Sequence, residues 1–122
     1  MPQSPCSVLV VEDDADCAEL VALGLRRPVP GREPFSVRIA HSLSDAVAGL
    51  AAGPFSVILS DLQLADASGL DAVRALLSAA PETPVVVFTN HGDETLALEA
   101  VRLGVQDFLL KTEASEALLH RA

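Results

Sequence analysis

"SVILSDLQLADASGLDAVRALLSAA" occupies residues 56–80. It opens on Val57, Ile58 and Leu59, apolar at consecutive positions, and reaches a carboxylate at Asp61. A turn-prone, polar stretch follows, then a helix-like pattern over 69–80 that Pro81 stops. Consecutive apolar positions mark a strand buried on both faces, the habit of a parallel sheet covered by helices. The same unit recurs along the chain. Apolar runs at 7–11, 35–40, 55–60, 84–89 and 107–110 alternate with helical patterns at 15–25, 43–52, 69–80, 93–104 and 115–122. Strand followed by helix, five times over, predicts an α/β domain with right-handed crossovers and helices on both faces. Ser42 with Asp45, and Ser68 with Asp71, have the spacing of helix N-caps, and Gly104 has the position of a C-terminal stop. The segment "RRPVPGREP" (26–34), with three prolines, reads as an exposed loop.

Composition narrows the possibilities. The 122 residues suit a single domain covering the whole chain, with residues 1–6 expected to be disordered. Half are hydrophobic, yet Trp and Tyr are absent and Phe numbers 4, so the core must be aliphatic. A formal net charge of −9 argues against direct nucleic-acid binding, which needs a basic face. Cys6 and Cys17 form neither a metal-type pair nor a disulfide framework, which fits a reducing, cytoplasmic setting. "MPQSPCS" lacks the pattern of a secretory leader, and no apolar run approaches the ~20 residues of a membrane span.

Ligands of open parallel sheets sit at the carboxyl ends of the strands. After the first run come Glu12, Asp13 and Asp14; Asp61 follows the third, Thr89 ends the fourth and Asn90 follows it, and Lys111 follows the fifth. Any one of these is weak evidence, because acids and threonines are common where strands end. Their joint placement on one edge is not. Glu12, Asp13 and Asp61 carry −3 and Lys111 returns +1, leaving the charge that one divalent cation would match. Hard oxygens with open positions suit Mg²⁺, or Mn²⁺ in its place. With the cation and Lys111 as anchors for a phosphoryl group, the Asp61 carboxylate can act as a nucleophile and form an acyl phosphate, and Thr89 can hydrogen-bond a phosphoryl oxygen.

The stretches "VLVVEDD", "VILSDLQLADASGLD", "VVVFTNHGDE" and "GVQDFLLKTE" resemble the receiver domain of bacterial two-component response regulators, over about residues 7–122. The resemblance implies a flavodoxin-like, doubly wound sheet of order 2-1-3-4-5. It implies that Asp61 is the phosphoacceptor and that Asp13 is the direct Mg²⁺ ligand, with Glu12 the outer acid of the pair. The backbone carbonyl of Gln63 would complete the protein's share of the metal shell. Thr89 and Lys111 would grip the phosphoryl group, and Phe108 would be the switch aromatic. Gln63, Asn90 and His91 fall where the family tunes phosphoryl lifetime, His91 reading equally as a solvated loop histidine. Asp14 falls at a variable position and reads as a helix-start residue.

Three departures bear on these expectations. Ala65 stands where a proline is usual, which predicts a looser loop after Asp61. Thr112 stands where a proline often follows the lysine, and a trans bond is expected there, since a non-proline cis bond costs about 3 kcal/mol. Asn90 stands where a smaller residue is usual.

The resemblance implies a signalling domain rather than an enzyme with its own turnover. A histidine kinase or histidine phosphotransfer protein would be the donor, and the face of helix four, strand five and helix five would change on phosphorylation. A downstream output domain or partner protein would read that face, a phosphorylation-dependent homodimer being one form of response. The alternative is a degenerate receiver that serves as a phosphorylation-independent interaction module. A flavin-phosphate binder of the same fold is disfavoured, because "EDDADC" is acidic where a phosphate-binding loop belongs. Gln63 disfavours an aspartyl-phosphate phosphatase, which would place a second acid there. The short last helix, "SEALLHRA", reads as the truncated end of a receiver excised from a longer signalling protein, a stand-alone regulator being the other reading.

Overall fold

A computed structural model of the chain describes residues 6–26, 30–31, 35–62, 64, 66, 69–89 and 93–110, Leu110 by its backbone alone. The elements alternate as expected: β1 (Ser7–Val11), α1 (Ala15–Arg26), β2 (Ser36–Ala40), α2 (Leu43–Ala52), β3 (Val57–Asp61), α3 (Leu70–Ala79), β4 (Val85–Thr89), α4 (Glu94–Leu103) and β5 (Asp107–Leu110). The strands form one sheet in the order β2-β1-β3-β4-β5, and all its pairings are parallel. This is the doubly wound, flavodoxin-like arrangement. The expected last helix (115–122), the N-terminal residues 1–5 and most of the 26–34 loop lie outside the described residues.

The consecutive apolar residues are explained by burial on both faces of the sheet. Leu9 and Val11 of β1 join Ile58, Val85 and Val87 in a core covered by Ala46 of α2, Val73 and Leu76 of α3, and Ala97 and Ala100 of α4. The alternate residues Val8 and Val10 point to the other face, where Val21 and Cys17 of α1 pack with Phe88. Alternation along each strand therefore sends successive side chains into two different apolar layers. Among the described residues no helix is long and apolar enough to cross a membrane.

The capping signals resolve unevenly. Ser42 caps α2, its Oγ accepting from the Asp45 N–H at 3.0 Å. Asp14 starts α1, its Oδ1 accepting from the Cys17 N–H at 3.1 Å. Gly104 ends α4 with φ 131° and donates its N–H back to Ala100 and Val101. The expected Ser68 cap lies outside the described residues; Gly69 holds the N-cap position of α3, and among the described residues no side chain caps it. Gly69 has φ 61°, a left-handed conformation that suits glycine. This conformation lets its N–H close back onto the Leu62 carbonyl at 2.7 Å. A Cβ there would stand 3.8 Å from the Leu96 side chain of α4, so the turn nestles against the next helix.

Candidate functional site

The sheet order reverses between β1 and β3, because the chain passes from β1 outward to β2 and then returns to the other side. A crevice opens at the carboxyl end of such a switch point. Val11 pairs with Ser60, so Glu12 and Asp13 emerge beside Asp61. Asp61 in turn pairs with Phe88, which sets Thr89 one step beyond it on the neighbouring strand. Thr89 pairs with Leu110, the residue before Lys111.

Three acids meet here. Glu12, Asp13 and Asp61 each bring a carboxylate oxygen into a group whose members all lie within 4.8 Å of one another. Their environments differ. Glu12 is fully buried and Asp61 is 4% exposed, whereas Asp13 faces solvent. The Glu12 backbone continues the ladder with β2 through its N–H to the Ala40 carbonyl, 3.0 Å, and its Oε1 accepts from the Asp14 N–H at 3.1 Å. Ser60 Oγ donates to the Asp61 carbonyl at 3.0 Å and steadies the last peptide of β3.

A wholly buried glutamate beside two aspartates is a charge arrangement that water screens poorly, and a divalent cation is the natural counter-charge. The donor set is all oxygen, and Asp13 leaves one side open for waters or a phosphate. That combination fits Mg²⁺. Thr89 adds a hydroxyl to the same edge. It is 1% exposed, and its Oγ1 finds no hydrogen-bond partner among the described residues. Phe108 on β5 is half-buried against the larger core layer. Lys111, Gln63, Asn90 and His91 lie outside the described residues, as do Ala65 and Thr112.

Sequence reasoning missed two residues that hold this edge together. His41, just after β2, donates from Nδ1 to the Glu12 carbonyl at 3.2 Å. Asp66 sends its carboxylate to the start of α2, where Oδ1 accepts from the Leu43 N–H at 2.9 Å and Oδ2 from the Ser44 N–H at 3.0 Å. A signal for Asp66 existed, since a carboxylate suits a helix N-terminus, but the helix it serves lies more than twenty residues earlier. The expected looseness at Ala65 falls outside the described residues; beside it Leu64 is buried and Asp66 is held by α2.

The N–H of Leu43, and next that of Ser44, hold the Asp66 carboxyl below its ordinary value of 3.8. A carboxyl lowered on folding stabilises the fold above its unfolded pKa, and that contribution is lost as pH falls through the folded value. The Leu43 and Ser44 amide signals should therefore titrate together, with a midpoint below 3.8. A midpoint at or above that value would show that the charge plays no part in the clamp.

The chain matches the family model of the response regulator receiver domain over residues 8–122. It is 37% identical over 103 residues to the response regulator protein PilR of Pseudomonas aeruginosa, covering 84% of this chain and 22% of that protein. It is 31% identical over 116 residues to the C4-dicarboxylate transport transcriptional regulatory protein DctD of Rhizobium meliloti, covering 95% of this chain and 24% of that protein. The chain thus spans roughly a quarter of the length of either relative. Among solved structures, the signal receiver domain of a Luxo repressor protein from Vibrio parahaemolyticus superimposes with a TM-score of 0.79 at 27% identity, covering 97% of this chain and 87% of that one. With the sheet order, the acids gathered at the switch point and the family match agreeing over nearly the whole length, this chain belongs to the response regulator receiver-domain family.

Proposed function

We propose that the chain is a single receiver domain that accepts a phosphoryl group on Asp61 from a histidine kinase or histidine phosphotransfer protein in the cytoplasm. The observation that carries this reading is the gathering of Glu12, Asp13 and Asp61 within 4.8 Å at the switch-point edge. Asp13, Asp61, the outer acid Glu12 and the backbone carbonyl of Gln63 would hold Mg²⁺. When bound, the cation supplies positive charge against the acids and the incoming phosphoryl oxygens.

The chain's own groups supply the rest. An Asp61 carboxylate oxygen attacks phosphorus in line, an oxygen–phosphorus bond forms, and the nitrogen–phosphorus bond of the donor's phosphohistidine breaks. The Thr89 hydroxyl donates to a phosphoryl oxygen, and Lys111 supplies a fixed positive charge. Gln63, Asn90 and His91, by the family resemblance, would set the phosphoryl group's lifetime against water. Movement of Thr89 toward the dianion vacates space into which Phe108 turns, and the face of α4 and β5 changes with it. Leu98 and Val101 of α4 and Leu109 of β5 are exposed there, apolar surface that an output domain or partner protein could read. The domain is a signalling switch, with slow self-catalysed loss of the phosphoryl group as its only turnover. The degenerate-module reading finds no support among the described residues, where the acids and Thr89 are all present at one edge.

Incubation with acetyl phosphate and Mg²⁺ should add one phosphoryl mass, and a chelator should prevent it. Uptake that persists with the cation removed would count against the acids as a metal site. No uptake at all would overturn the reading.

A further inference from the structure

The N-terminus of α2 is supplied from two sources. Ser42 Oγ takes the Asp45 N–H, a local cap. The N–H groups of Leu43 and Ser44 both go to Asp66, which lies 23 and 22 residues away along the chain. A carboxylate across two backbone donors at a helix start is a charge-assisted contact favoured by the helix dipole. Asp66 belongs to the segment that leaves the proposed acceptor, Asp61.

The described residues of that segment have few other restraints. Leu62 is fully buried, Leu64 is 6% exposed, and the Gly69 N–H closes the loop on the Leu62 carbonyl at 2.7 Å. These contacts tie it to its own strand and to the core beneath. Among the described residues, Asp66 alone in this segment hydrogen-bonds to another element of the fold. Two residues before Leu43, His41 donates to the carbonyl of Glu12. The β2–α2 junction thus grips both acid-bearing segments: β1 through His41 and the loop after β3 through Asp66.

We propose that Asp66 is a positioning residue for phosphoryl acceptance, using the start of α2 as a brace that fixes the peptide after Asp61 relative to Glu12 and Asp13. Asp61 is the last residue of its strand, so the direction of its carboxylate depends on what holds residue 62 onward. With the clamp open, the Gly69–Leu62 bond frays and the three carboxylates lose their mutual spacing. The inference rests on the phosphoacceptor reading, and it deepens that reading by giving a residue outside the acid cluster a share in the geometry.

The test compares Asp66→Ala and Asp66→Asn with Ser42→Ala, which weakens the same helix start without touching the loop. Amide exchange of Gly69 is measured in the protein alone, and the Mg²⁺ titration midpoint is read from the Asp13 amide signal. Asp66→Ala should speed Gly69 exchange and raise the Mg²⁺ midpoint by about tenfold. Asp66→Asn, which keeps one acceptor oxygen, should fall between it and wild type. Ser42→Ala should lower the unfolding temperature while leaving both readouts near wild type. Gly69 exchange unchanged in Asp66→Ala, or an equal midpoint shift in Ser42→Ala, would overturn the proposal. Should the wild type bind no Mg²⁺, the phosphoacceptor reading falls, and Gly69 exchange still decides whether Asp66 holds the loop.

Discussion

Asp61→Asn should give a folded protein that gains no phosphoryl mass from acetyl phosphate under conditions that label the wild type. The side chains have the same shape, so the buried end of β3 is not disturbed by volume. The amide, however, has no carboxylate oxygen to form the acyl phosphate, and loss of a nucleophile removes about three or more orders of magnitude in rate. A second consequence follows from the cluster. Asp61 is one of three carboxylates within 4.8 Å, so its loss should also weaken Mg²⁺ binding. Wild-type protein at ten times the dissociation constant should gain about 1.4 kcal/mol of stability from the cation, and the variant at the same concentration less. Labelling that survives in Asp61→Asn would move the acceptor to another acid, with Asp13 the first to examine. Labelling lost together with folding, seen as a broadened unfolding transition, would show Asp61 to be structural.

Much of this arrangement could be read from residue type and spacing alone. Val57 to Leu59 announced a doubly covered strand because a parallel sheet offers no solvent face, and both apolar layers are present. Boundaries shifted little, and the shift that mattered was at β3, which runs one residue further than the apolar run and takes Asp61 into the ladder opposite Phe88. Periodicity could not show this, since a carboxylate at a strand end looks like a turn residue. Ser42 and Asp14 were legible as caps because a cap acts over three residues. Gly69 holds the cap position of α3 because the loop needs a left-handed residue where it closes on Leu62.

What remained illegible was long-range. Asp66 reaches across to a helix more than twenty residues earlier, and His41 reaches from β2 to the backbone of β1. Neither partner can be identified before the strand order is known. Burial was also hidden. The sequence "EDD" presents three similar acids, but the fold separates a fully buried Glu12 from an exposed Asp13 and sends Asp14 to a helix start. These separations follow from the direction in which each residue leaves the end of β1.

Thr89→Val should move stability and phosphoryl acceptance in opposite directions. The Thr89 side chain is 1% exposed at the end of β4, and its hydroxyl finds no hydrogen-bond partner among the described residues. A buried hydroxyl without a partner is unfavourable by about 1–3 kcal/mol, so replacing it with a methyl group of similar volume should raise stability by about 1 kcal/mol. With a phosphoryl oxygen as the hydroxyl's acceptor, losing the donor should slow acceptance by about a hundredfold, the usual effect of removing one hydrogen bond to developing charge. Denaturant unfolding and acetyl phosphate labelling on the same preparation decide the matter. A variant that is less stable would mean that the hydroxyl serves the fold. One that is more stable and labels at the wild-type rate would remove Thr89 from the site.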